Sequence, residues 1–337
     1  MALVIRLRAA PPPSLIYFNS ISNLNNKRSL IPINSFSPTI IASSIRVAYQ
    51  GVPGAYSEAA ALKAYQECET LACDQFESTF KAVELGLADK AVVPIENLLG
   101  GSIHGNYDLL LKYHNKLLFE MVLIINHCLL ALLGVIKQDL KRVLSHPQAF
   151  AQCEITLNKF GLVRVNHNNT AGAAKIVASK GLRDTGAVAS ARAANIYGLH
   201  IIQEGIHDNP FSNNITRFLV LAREPIIIPG HLNYKTCIVF SLKDEGPEIL
   251  FKVLALFSLR AINLTKGTYL IESRPNKGEG SKNLIMIDDR RNFDYLFYID
   301  FEASMAEPRA QNAIQHLQKF ARFVRVLGSY PRVDYIP

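Results

Sequence analysis

From residue 46 onward the chain alternates short apolar runs with amphipathic stretches, the pattern of an α/β fold. Residues 46–50 read as a strand that ends in a Gly-Val-Pro-Gly turn (51–54). A helix is expected next, with Ser57 as its N-cap, Glu58 in its first turn and 59–65 as its body. A helix over 79–87 and a buried strand over 90–95 follow, and the apolar stretch 121–136 reads as buried strand. A second strand–helix series is expected through 142–144, 149–160, 163–165, 170–179, 187–189 and 190–197. Residues 217–222 then read as a strand returning after a long loop. Two α/β lobes joined by chain crossings imply a ligand cleft between them.

Residues 223–234 form a proline-marked linker, and beyond it the pattern becomes βαββαβ. Strands are expected at 235–242, 262–266, 293–301 and 324–328, and helices at 247–259 and 308–320. In the third of these strands Phe293, Tyr295, Phe297, Ile299 and Phe301 alternate onto one side. Such a unit is a small ferredoxin-like sandwich and says nothing by itself about activity.

Composition changes this picture in three places. The net charge of +8 hints at nucleic acid, but residues 1–44 hold Arg6, Arg8, Lys27 and Arg28 with no acidic residue. The remainder has 32 basic against 28 acidic side chains and no basic run interleaved with aromatics, so no nucleic-acid partner is expected. The same leader is serine-rich and contains Pro11, Pro12 and Pro13, which suits an organellar transit peptide better than a secretory signal. No apolar stretch approaches the roughly 20 residues of a membrane span. Five scattered cysteines, with only Cys68 and Cys73 close together, argue for free thiols rather than a zinc site.

Several loops beside the expected strands are polar and rich in small residues. They are Tyr-Gln-Gly-Val-Pro-Gly-Ala-Tyr-Ser (49–57), Pro-Ile-Glu-Asn (94–97), Gly-Gly-Ser-Ile-His (100–104), Ser-His-Pro-Gln-Ala (145–149) followed by Gln152-Cys153, Thr-Ala-Gly-Ala-Ala (170–174) and Asn-Ile-Thr-Arg-Phe (214–218). Loops at strand ends are where α/β proteins bind ligands, and helix N-termini offer free N–H groups to anions. His146 beside Pro147 reads as a structural hydrogen-bonder before a general base, and Cys153 as a packing thiol before a nucleophile.

In their order, these motifs resemble those of prephenate and arogenate dehydratases. Ile-Glu-Ser-Arg-Pro (271–275) and Phe-Tyr-Ile-Asp-Phe-Glu (297–302) resemble the regulatory ACT domain of the same enzymes, so the resemblance spans about residues 46–331. It implies a transit peptide over 1–44, a two-lobed catalytic domain of periplasmic-binding-protein-like architecture over 45–222, a linker over 223–234 and an ACT domain over 235–331. It also implies a plastid enzyme without metal or cofactor. The family reaction expels carbon dioxide and a ring hydroxyl from a cyclohexadiene, so the site must assist the leaving hydroxyl and hold the ring carboxylate poorly solvated.

By the same resemblance Thr216 is the hydroxyl donor, and Asn97 and Gln152 hold the substrate. Gln50, Gly51, Ala55, Ser57, Glu96, Asn214, Arg217 and Phe218 form the rest of the binding set, with Ala55 and Ser57 on a turn of backbone donors. Asn263, Leu264, Glu272, Ser273 and Arg274 resemble a phenylalanine site at a subunit interface, which implies an end-product effector and at least a dimer. Arogenate giving phenylalanine, prephenate giving phenylpyruvate, and a non-catalytic phenylalanine-binding homologue are the readings this leaves open. Departures from the family pattern cluster near both sites: Leu98, Gly105, a loop over 208–214 longer than expected, Ala261, and an inserted Gly-Thr-Tyr-Leu (267–270).

Overall fold

The computed structural model describes residues 44–113, 116–208, 214–224, 233–243, 247–265, 272–275 and 295–331. The leader, most of the linker and the 267–270 insertion lie outside the described residues. Lobe one begins with β1 (Arg46–Gln50), α1 (Tyr56–Ala64), β2 (Glu69–Cys73), α2 (Phe76–Glu84), β3 (Lys90–Asn97), β4 (Gly101–Ser102), α3 (His104–Lys112) and β5 (Lys116–Ile124). The chain then crosses into lobe two: β6 (Cys128–Leu132), β7 (Arg142–Ser145), α4 (Pro147–Gln152), α5 (Glu154–Lys159), β8 (Val163–Asn166), α6 (Thr170–Ser179), β9 (Thr185–Ala189), α7 (Ala191–Tyr197) and β10 (Leu199–Gln203). It returns as β11 (Ile215–Ala222) to lie between β3 and β5.

The two sheets have orders β2-β1-β3-β11-β5, with β4 on β3, and β10-β6-β9-β7-β8. In both, a parallel core is extended by antiparallel strands at the crossings, so the expected two-lobed architecture is present.

Several boundaries differ from the sequence expectation. The helix expected over 79–87 starts at Phe76, where it buries Thr79, Phe80, Ala82 and Val83, and it ends before Gly86 at φ +73°. Ala55, not Ser57, is the N-cap of α1, and it makes no side-chain cap bond; Ser57 sits inside the first turn. The stretch 121–136 is not one strand: β5 and β6 are separated by the crossing at 125–127.

The C-terminal unit comprises β12 (Tyr234–Leu242), α8 (Pro247–Ser258), β13 (Glu272–Pro275), β14 (Tyr295–Phe301), α9 (Pro308–Phe320) and β15 (Ala321–Pro331). Its order, β13-β14-β12-β15, is that of a ferredoxin-like sandwich. Around 262–265 only an isolated bridge, Leu264 to Phe301, replaces the expected strand, and Phe293 lies outside the described residues. The one-sided pattern of β14 is incomplete as well. Ile299 and Phe301 pack with Ile238, Phe240 and the two helices, while Leu296 and Tyr298 join Cys237, Val239, Leu327 and Tyr330 in the core of lobe one. The sheet is therefore buried on both faces.

Candidate functional site

A cavity of about 960 Å³ lies between the lobes. Its floor is shaped by a β-bulge. Strand β11 pairs Thr216 with Asn97 and Arg217 with Glu96, then slips so that Phe218 faces Pro94 and Ile95 is the extra residue. Alternation puts Thr216, Phe218 and Asn97 on the cavity side, and the bulge brings Pro94 there in place of Ile95. Arg217 and Glu96 turn to the opposite face, where Arg217 Nη2 bonds Glu96 at 3.1 Å and Nη1 bonds Glu120 and Asp300 at 3.0 and 3.2 Å.

The hydrogen bonds around Thr216 have one consistent direction. The backbone N–H groups of Leu99 and Gly100 donate to Asn97 Oδ1 at 3.1 and 2.8 Å, which fixes the amide orientation. Asn97 Nδ2 must then donate to Thr216 Oγ1 at 2.9 Å and to Asn214 Oδ1 at 2.8 Å. Gln152 Nε2, reaching across from lobe two, donates to Asn97 Oδ1 at 3.0 Å. Gln152 Oε1 is thereby an acceptor, taking Asn214 Nδ2 at 2.8 Å and facing His127 Nε2 at 2.9 Å. Thr216 Oγ1 already accepts from Asn97, so its own proton is free to donate into the cavity. Thr216 and Asn97 are 7% and 6% exposed, so water does little to weaken this arrangement.

His127, which sequence reasoning passed over as part of an apolar run, closes the network. Its Nε2 faces an acceptor and so carries the ring proton, while Nδ1 lies 3.1 Å from the Tyr56 hydroxyl. Burial pulls the imidazole down to about 4; the Gln152 bond opposes that shift and His207 adds to it, so the ring is neutral at physiological pH. The only signal for it in the sequence was a polar pair, Asn126-His127, between two apolar strands.

The Gly51–Gly54 turn does different work from that expected. Gly51 N–H donates to Cys73 O, Gly54 N–H to Glu58 Oε2 and Ala55 N–H to Val52 O, so these groups are occupied within the protein. The turn instead docks the lobes: Ser190 Oγ donates to Gly54 O, Tyr197 Oη donates to Pro53 O, and Arg192 Nε pairs with Glu58 at 3.0 Å. A Cβ on Gly54, whose φ is +89°, would lie 2.9 Å from Ala193 Cα. The donors left for an anion are the first-turn N–H groups of α1, at Tyr56 and Ser57, which line the cavity.

Of the expected site residues, Gln50, Gly51, Ala55, Ser57, Asn97, Gln152, Thr216 and Phe218 line the cavity. Asn214 is buried behind it in the amide network, and Glu96 and Arg217 face away. His146 lines the cavity and accepts from Gln148 N–H as the N-cap of α4. Cys153 is fully buried and its thiol is pushed up to about 12, by burial first and then by Asp208 and Cys128. In the C-terminal unit Glu272, Ser273 and Arg274 lie on β13, registered against Tyr298, Phe297 and Leu296. Asn263 Nδ2 donates to Glu302 at 3.0 Å, and Leu264 bridges to Phe301. Among the described residues no group of three or more His, Cys, Asp or Glu side chains could hold a metal ion.

Fold and site together define a two-lobed α/β enzyme whose cleft is lined by a hydroxyl, amides and a neutral imidazole. The family described as prephenate dehydratase matches residues 47–226, and the chain belongs to it. The chain is 57% identical over 294 residues to arogenate dehydratase/prephenate dehydratase 1, chloroplastic, of Arabidopsis thaliana, covering 86% of this chain and 72% of the relative. The crystal structure of prephenate dehydratase from Arthrobacter aurescens in complex with L-Phe aligns with a TM-score of 0.74 at 27% identity, over 87% of this chain and 92% of the other. A structure described as GqqA, a novel type of quorum quenching acylase, aligns with a TM-score of 0.72 at 31% identity, over 86% and 98%.

Proposed function

We propose that the chain converts L-arogenate to L-phenylalanine, with loss of carbon dioxide and water, in the chloroplast. The observation that carries this reading is the free proton of Thr216, aimed by the Asn97 amide that donates to its oxygen. As the ring carboxylate leaves as carbon dioxide, its bonding pair enters the ring and the C4–O bond breaks. The departing oxygen needs a proton donor, which Thr216 supplies; its hydroxyl is reprotonated from solvent. Aromatisation provides the driving force, and the site contributes orientation and a donor where charge develops.

A substrate with two carboxylates finds N–H donors at Tyr56 and Ser57. The buried residues Ile125 and Phe218 line the same cavity and leave the ring carboxylate poorly solvated. An acylase reading, prompted by the GqqA likeness, is less well supported. Among the described cavity residues no Ser or Thr hydroxyl is bonded to a histidine, so an activated nucleophile is missing.

The C-terminal unit, residues 235–331, is read as an ACT domain after a catalytic domain at 45–222 and a linker at 223–234. Phenylalanine is its effector, bound near Asn263, Leu264 and Glu272–Arg274 at an interface between two copies of the chain. Residues 1–44 are read as the transit peptide. Steady-state turnover of arogenate and of prephenate tests the reading: arogenate is expected to give the higher kcat/KM with phenylalanine as product. A chain that consumes neither, or prephenate alone, contradicts it.

A further inference from the structure

Arogenate and prephenate share their ring, leaving hydroxyl and both carboxylates, and differ where one side chain carries an ammonium and the other a ketone. At neutral pH arogenate therefore has one net negative charge fewer. The cavity offers a physical basis for sorting them. Its described lining contains no lysine, arginine or glutamate, and its one carboxylate side chain is Asp74. Burial holds His127 and His146 below their ordinary range, so neither adds a positive charge at neutral pH. Behind Thr216, two buried cations, Arg217 and Lys235, face three carboxylates, those of Glu96, Glu120 and Asp300. No fixed positive charge lines the described cavity to favour the more anionic substrate.

Position agrees with charge. Asp74 follows directly on β2, where Cys73 is registered against Gln50 of β1, and its carbonyl accepts from Gln50 Nε2 at 3.3 Å. Across the sheet, the order β2-β1-β3-β11 sets it three strand spacings, about 14 Å, from Thr216, and the registers place it about level with Pro94, further back along the strands than Asn97. On the substrate ring, the leaving hydroxyl and the side chain occupy opposite, para positions. A molecule that sets its hydroxyl at Thr216 and lies along the lobe-one sheet from β11 toward β2 would bring its side chain to the Asp74 end of the cavity. Asp74 is exposed, and no described group bonds its carboxylate.

We propose that Asp74 is the specificity-determining residue of this cleft, selecting the ammonium-bearing side chain of arogenate over the keto acid. The inference rests on the dehydratase reading above. Asp74→Asn removes the charge and keeps the size and the backbone contact to Gln50. In the full chain, kcat/KM for arogenate is expected to fall and that for prephenate to rise, moving their ratio about tenfold. The wild-type ratio should shrink with added salt, because a partly exposed charge is screened. Asp74→Glu should restore most of the preference, and Asp74→Lys should move the ratio further toward prephenate. An unchanged ratio, or equal losses on both substrates, would overturn the role of Asp74 while leaving the dehydratase reading intact. A wild-type chain with no turnover of either substrate would sink that reading itself.

Discussion

In the proposed reaction Thr216 serves as donor because of what its neighbours have already taken. Two backbone N–H groups fix the Asn97 amide, Asn97 fills the threonine oxygen, and the proton is left over. The same logic runs outward through Gln152 to His127, whose Nε2–H is the last donor in the chain. Replacing His127 by leucine should leave Gln152 Oε1 with Asn214 Nδ2 alone of its two donors and loosen the amide network, a loss of about 1.4 kcal/mol that lowers kcat roughly tenfold if it is felt in the transition state. His127→Gln puts an amide N–H near the position of Nε2 and should recover much of that loss, a rescue that a purely space-filling residue would not show. His127 also leaves a pH signature. Between about pH 6.5 and 4 the unfolded chain binds a proton at His127 that the folded chain does not, because burial holds the native ring at about 4. Wild-type stability should therefore fall as pH drops through that window, by on the order of 3 kcal/mol. Denaturation midpoints of His127→Gln should lose that part of the slope; an identical slope would remove His127 from the account.

At the scale of elements, the segments with a strong local pattern were legible and those set by distant partners were not. The helix at 170–179 matches α6 to the residue, since Thr-Ala-Gly-Ala-Ala-Lys-Ile-Val-Ala-Ser carries its own periodicity and Asn169 caps it. The single helix expected over 149–160 is instead α4 and α5, broken at Cys153. The break comes from Asp208, whose carboxylate accepts from Ile155 and Thr156 N–H at 2.7 and 2.9 Å and whose own N–H donates to Gln152 O. A partner so far along the chain leaves no mark on the local pattern, yet it ends α4 with Gln152 facing Asn97. Asp208→Ala should cost about 1–2 kcal/mol in urea unfolding, the range of a lost helix cap, and should lower kcat more than it raises KM. The bulge at Ile95 was equally hidden, although Pro94 inside a strand hinted at irregular pairing. Without it, strict alternation from Asn97 would put Ile95 rather than Pro94 beside the cavity; Arg217 and Glu96, each one residue from a cavity-facing neighbour, face away in either case. Ala261 stands at φ +50°, a left-handed conformation that asparagine or aspartate adopts more readily than alanine.

Over the whole molecule, the C-terminal sheet and lobe one share a core and a charged cluster. Arg217, next to the proposed donor, bonds Asp300 on β14, and Lys235 on β12 bonds Glu120 on β5. All four side chains are less than a tenth exposed, so removing one leaves buried charge uncompensated and couples any shift of the C-terminal sheet to β11. Tyr298 Oη, donating to Tyr107 O at 3.1 Å, adds a neutral link across the same contact. The ferredoxin-like pattern was visible in sequence; this shared core was not, because β14 reads as one-sided until Leu296 and Tyr298 meet lobe one. Everything converges on the strand that carries Thr216. The most direct measurement is phenylalanine formation from arogenate by the wild type, Thr216→Ser and Thr216→Val, each checked for an unchanged thermal melt. The account predicts turnover by the wild type, substantial activity in the serine variant, and a loss of about 100- to 1,000-fold in kcat for valine, the effect of deleting one positioned donor. A valine variant as active as the wild type would contradict it.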